Sequence, residues 1–167
     1  MSGARKDDAK RTPRGPGAEV VVCRNPKASL RFEIEERLEC GIVLAGSEVK
    51  SLRKSGGDLE GAHARLISGE LFLIGMYIGP YNPTPVAFAH APRATRKLLA
   101  SKHEIEKWAG KITMRGYALV PLRAYFKGSW AKIELGLGRG RKLGDDREKI
   151  KTKVARDEAR TAMQGRR

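Results

Sequence analysis

Through the middle of the chain apolar side chains return at every second residue, a period that belongs to half-buried β-strands. Val20-Val21-Val22-Cys23 is a short strand on this reading. Leu30, Phe32 and Ile34, alternating with Arg31, Glu33 and Glu35, make a second. Residues 39–44 read as a third. Residues 64–67 and 71–74 flank Ser68-Gly69-Glu70, which is turn chemistry for a hairpin. A longer hairpin runs over 117–126, turns at Lys127-Gly128-Ser129 and returns over 130–137. In its return strand Ala131, Ile133, Leu135 and Leu137 share one face, while Trp130, Lys132 and Glu134 take the other.

Two stretches break the period. Ser47 is placed to cap a short helix over 48–53 that Gly56 would end. Ser101-Lys102-His103-Glu104 is a capping box, after which Ile105 and Trp108 share a helical face and Gly110 closes the helix. About six strands with two or three short helices predict a mainly β fold, a small OB-like antiparallel barrel.

Composition divides the chain into three parts. Residues 1–19 have little to bury and read as a disordered extension; 20–138 form the barrel; 139–167 form a basic tail. Lys and Arg number 34 against 19 Asp and Glu, a formal charge of +15. Such self-repulsion is tolerated where a polyanion is the partner. No apolar run approaches the roughly 20 residues of a membrane span, and no signal-peptide or lipidation pattern is present. The expectation is a cytoplasmic, monomeric protein without a membrane partner. Cys23 and Cys40 stand far apart and read as reduced thiols.

No catalytic residue, metal or cofactor is expected. His63, His90 and His103 are scattered, at no ligand spacing. Glu33, Glu35, Glu36 and Glu39 could hold Mg²⁺ for a nuclease, but alternation with Phe32 and Ile34 makes them the wet side of a strand. Gly136-Leu137-Gly138-Arg139-Gly140-Arg141-Lys142 lacks the Lys-Ser/Thr pair and apolar helix of a phosphate loop. It reads instead as a flexible hinge whose cations touch phosphates.

Several cations suit RNA. Arg93, Arg96 and Lys97 precede the capped helix, Lys50 and Arg53 lie on the earlier one, and Lys132 is on an outward strand face. In the tail, Ile150 and Val154 give only a narrow apolar stripe. Lys149 with Lys153, and Arg156 with Arg160, are repelling i,i+4 pairs. Such a tail should be disordered alone and helical once RNA neutralises it.

The block ECGIVLAGSEVKSLR, from Glu39 to Arg53, closely resembles the signature of the SsrA-binding protein family, small protein B. The resemblance continues through Arg96-Lys97-Leu98-Leu99, Gly116-Tyr117, Trp130-Ala131-Lys132 and Gly140-Arg141-Lys142, over roughly 20–167. It departs at Ala94, Gly144 and Asp146. It implies an OB-like barrel that binds the tRNA-like domain of transfer-messenger RNA (SsrA RNA) in trans-translation. With elongation factor Tu, reached through the RNA complex, such a protein brings the RNA to stalled ribosomes. The tail would enter the empty messenger channel beside the rRNA of the decoding region. Carried over by motif, Asn25, Lys27, Glu39, Leu99 and Lys132 become RNA-binding positions of the barrel. Arg139, Arg141, Lys142, Asp145, Arg147, Lys149, Lys151, Lys153, Arg156 and Arg160 become those of the tail. The alternatives are a ribosomal or other basic OB-fold RNA-binding protein and, from another class, a metal-dependent nuclease.

Overall fold

The computed structural model describes residues 17–141, 151–152, 154–156 and 158–160. Strand β1 (Glu19–Arg24) is followed at once by helix α1 (Pro26–Arg31). Leu30 therefore lies on a helix, 69% exposed, and does not belong to the alternating strand expected of it. Pro26 explains the change, because its ring presets φ for the first helical turn and lacks the N–H that turn would leave unpaired. Strand β2 (Phe32–Ile42) fuses the two strands expected over 30–35 and 39–44 into one of eleven residues, with a bulge between Ile34 and Glu36.

Helix α2 (Gly46–Ser55) starts one residue before Ser47, and Gly56, at φ 72°, ends it as expected. Short strand β3 (Gly57–Asp58) leads to the hairpin β4 (His63–Ile67) and β5 (Glu70–Ile74), whose turn residues Ser68 and Gly69 both have positive φ. Strand β6 (Tyr77–Ile78) pairs with β3. A loop with one 3₁₀ turn, Val86–Phe88, then reaches strand β7 (Arg96–Leu99). Helix α3 (Lys102–Ile112) has the expected box: Ser101 Oγ accepts from Glu104 N at 3.3 Å, and Glu104 accepts from Ser101 N at 3.1 Å. It runs through Gly110 for a further two residues. The hairpin β8 (Tyr117–Lys127) and β9 (Trp130–Gly140) completes the fold.

The strand pairings close. β8 takes β9 along one edge; along the other it takes β1 at residues 123–127 and β4 at Leu119. From β9 the order continues through β2, β7 and β5 to β4, which returns to β8. This is a ring of six antiparallel strands with β1 as a branch, and closure removes the open edges on which sheets aggregate. The interior is filled from every wall: Leu38 and Cys40, Ala64, Leu73, Leu98, Leu119 and Phe126, then Ile133, Leu135 and Leu137. Leu52 of α2 and Trp108 of α3 join them. Burial raises the thiol pKa of Cys23 to about 11 and of Cys40 to about 12, so both stay protonated and inert.

The glycine-rich stretch is not a hinge. Gly136 and Gly138 lie buried within β9, and Gly140 is its last residue, paired with Phe32. A Cβ on Gly138 would stand 2.8 Å from the Glu33 carbonyl oxygen and 3.0 Å from Ile34 Cδ1. The glycines are there so that β2 can close over β9, which is why their spacing resembled a loop. Gly138→Ala is expected to cost about 1–3 kcal/mol by overpacking, read as a lowered denaturation midpoint. After β9, Arg141 N donates to Arg31 O at 2.8 Å, so the tail leaves the barrel beside α1. The described tail residues 151–152, 154–156 and 158–160 are helical and exposed.

Candidate nucleic-acid interface

Antiparallel register places outward side chains in rows. Directly paired residues share a face, so Leu99, Gly41, Lys132 and Tyr125 form one row across β7, β2, β9 and β8, with Tyr125 itself covered and buried. Two residues further along, roughly 7 Å away, stand Lys97, Val43, Trp130 and Lys127. Val43 N donates to Lys97 O at 3.0 Å, and Trp130 pairs with Lys127. The two rows interleave Lys97, Lys127 and Lys132 with Val43 (48% exposed), Leu99 (54%) and Trp130 (75%). Gly41 lets the Leu99 side chain lie against β2; a Cβ there would stand 3.3 Å from Leu99 Cβ and 3.6 Å from its Cδ1. Apolar and aromatic surface held open among cations is what an unpaired, partly unstacked RNA segment needs.

Glu39 borders this face. Its carboxylate accepts from the Tyr125 hydroxyl and pairs with Lys132 Nζ at 3.3 Å. The Tyr125 hydrogen bond, then Lys132, lowers its pKa, so it stays ionised at neutral pH. The carboxylate aims the Lys132 ammonium and cancels part of its charge. Beyond it Glu134 is held by Arg37 (3.1 Å) and Arg123, which also pairs with Glu19 at 3.0 Å.

Four of the ten barrel positions expected from sequence meet on this face: Glu39, Lys97, Leu99 and Lys132. Lys97 is paired with Glu70 at 2.6 Å, so RNA must compete for it. Lys50 and Arg53 lie exposed on α2, the first over the Tyr81 ring at 5.8 Å and the second over Phe126 at 4.0 Å. Arg53 also donates to Gly128 O at 3.3 Å, beside the hairpin tip that carries Trp130. Arg93 is exposed but donates to Gly75 O at 2.8 Å.

Three positions differ from expectation. Arg96 is buried, 3% exposed, and paired with Glu48 at 2.7 Å, so no phosphate reaches it. It starts a strand, where alternation turns Arg96 and Leu98 inward and Lys97 and Leu99 outward. Asn25 ties α1 to the barrel: its Nδ2 donates to Pro121 O at 3.0 Å, and its N donates to Leu122 O at 2.8 Å. Lys27 stands on α1, away from the Lys132 rows, and pairs with Glu60 at 2.5 Å. It rims a cleft of about 180 Å³ floored by Ala28, Phe32 and Val120.

Of the tail positions, Arg139 is exposed over the Tyr117 ring at 5.1 Å and Arg141 is exposed beside α1. Lys151, Arg156 and Arg160 are exposed on helix. Lys142, Asp145, Arg147, Lys149 and Lys153 lie outside the described residues. Sequence reasoning missed Gly41, Val43, Lys127 and Trp130. Alternation did put Trp130 on the face of Lys132, but only cross-strand register adds the others.

The acidic stretch does not converge. Glu35 accepts from Tyr117 Oη at 3.1 Å, while Glu36 accepts from Trp108 Nε1 at 3.0 Å and from Lys111. The Lys111 contact first, then Trp108, lowers the Glu36 pKa. Among the described residues no three His, Cys, Asp or Glu side chains come together as a metal cage. Among them, too, no helix is long and apolar enough to cross a membrane.

The model of the SmpB protein family matches residues 22–165. The chain belongs to the SmpB family. It is 47% identical over 143 residues to the SsrA-binding protein of Roseiflexus castenholzii, covering 86% of this chain and 90% of that one. To that of Geobacter sulfurreducens it is 50% identical over 139 residues, covering 81% and 88%. A solved chain from a study of tmRNA-SmpB at the center of the bacterial ribosome is 44% identical, with TM-score 0.59. It covers 77% of this chain and 87% of its own. Such identity across the barrel strands makes the SmpB fold, mainly β with few short helices, the frame in which the Lys132 rows stand.

Proposed function

We propose that this protein binds the tRNA-like domain of transfer-messenger RNA through the Leu99–Gly41–Lys132 face and delivers that RNA to stalled ribosomes. The observation that carries the reading is the row itself. It joins a cation, a glycine and an exposed leucine across three strands of a chain whose relatives are SsrA-binding proteins. The protein acts as a cytoplasmic adaptor, and elongation factor Tu meets it through the RNA. No chemical step is assigned to it. The tail, leaving beside α1 with Arg31, Arg139 and Arg141 at its root, occupies the decoding region and the empty messenger channel. There rRNA neutralises the like-charge pairs and fixes the helix.

Replacing Lys132 by Ala tests the face. Affinity for the isolated tRNA-like domain should fall, and the slope of log K against log salt should lose about one unit. Leu99→Ala should weaken binding with the salt slope unchanged, because it removes contact area and no charge. Arg115→Ala, an exposed cation at the opposite end of β8, is the control. Equal losses from Arg115 and Lys132 would mean diffuse electrostatics and no defined face.

A further inference from the structure

The fold contains two tryptophans in opposite circumstances. Trp108 is 4% exposed and donates to Glu36 at 3.0 Å, which fixes α3 against the barrel. Trp130 opens β9 with 75% of its surface in water. Single exposed apolar residues are ordinary; the neighbours of this one are not. Lys127 is its direct partner across the hairpin, and Lys132 is two residues on along the same face. The β2–β9 pairing ends at Gly41 and Lys132, two residues before Trp130 is reached. The turn beneath is braced, since Gly128 takes φ 61° and its carbonyl accepts from Arg53 at 3.3 Å. Arg53 in turn lies on the Phe126 ring at 4.0 Å. The indole is thus presented on a rigid hairpin tip.

We propose that Trp130 is a stacking platform for an unpaired base of the bound RNA. Lys127 and Lys132 take the phosphates on either side. A base stacked on indole gains dispersion and sheds water on one face at no cost in hydrogen bonds, and it does so whatever its identity. A strand face holding one aromatic between cations positions a nucleotide without reading its sequence. The inference rests on the RNA-binding face proposed above and adds to it a contact that electrostatics alone would not supply.

The test uses the full chain and the isolated tRNA-like domain. Trp130→Ala should weaken binding roughly 5- to 100-fold with the salt slope and the denaturation midpoint unchanged. Trp130→Phe should recover most of the loss. In the parent chain, RNA should shield Trp130 fluorescence from acrylamide, while Trp108, already enclosed, contributes little quenching. Parent-like binding by Trp130→Ala, with Lys132→Ala still weak, would overturn the stacking and leave the face standing. Trp130→Phe as weak as Trp130→Ala would also overturn it. Parent-like binding by both Trp130→Ala and Lys132→Ala would overturn the face itself, and the stacking with it.

Discussion

Arg96→Ala is expected to lower the unfolding free energy by about 3–5 kcal/mol, the cost of leaving a buried charge without its partner. The Arg96 guanidinium donates through Nε to Glu48 Oε1 at 2.8 Å, and through Nη1 to Met76 O at 2.8 Å and Ala94 O at 3.1 Å. Nη2 donates to Pro92 O at 3.3 Å. Glu48 spends its other oxygen on Ala45 N at 2.9 Å, at the start of α2. One side chain therefore joins β7, the loop at 92–94, the chain before β6 and the first turn of α2. Among the described residues no buried side-chain N or O lacks a hydrogen-bond partner; this substitution would leave Glu48 Oε1 without its partner and take a donor from the carbonyls of Met76, Ala94 and Pro92. Urea titration measures the loss. RNA affinity per folded molecule should be unchanged. A variant that stays stable but binds RNA poorly would restore Arg96 to the interface and refute its structural role.

Ending the chain after Arg141 is expected to abolish peptide tagging on stalled ribosomes while leaving affinity for the tRNA-like domain within about twofold. The barrel rows are complete without the tail, and the tail's cations leave the barrel beside α1, away from them. The position of the cut follows from the register. Ending after Gly138 would also remove Arg139, which pairs with Glu33 and Tyr117, and Gly140, which pairs with Phe32. A fold defect would then mimic a functional one. Two assays decide the matter, binding to the isolated RNA domain and tagging in a reconstituted translation system. Loss of both activities in the Arg141 truncation would refute the division between a barrel that holds one RNA and a tail that engages another.

Much of this was legible in the sequence where local patterns dominate. Period-two alternation gave both hairpins and the sidedness of Lys132 and Ile133. The capping box placed the start of α3 at Ser101, and Gly56 marked the end of α2. Legibility failed where a local signal had two meanings. Leu30 fits a strand period and a helix equally well, and Pro26 is the residue that decides for the helix. Gly136, Gly138 and Gly140 look like a loop whenever the strand that packs over them is unknown. Arg96 and Lys97 look alike as cations, and only the alternation of β7 separates the buried one from the exposed one.

By itself the sequence determined a β-rich basic domain with a cationic tail, because side-chain periodicity and net charge are properties of the chain before it folds. Its fifteen-residue signature, Glu39 to Arg53, pointed to the family by likeness, not by physics. The tertiary structure decided which residues make the face. Glu39, Gly41, Leu99, Trp130 and Lys132 lie on three strands separated by up to ninety-odd positions, and register across β7, β2 and β9 brings them together. Register is set by which side chains the closed ring must bury, so no local stretch of the chain contains it.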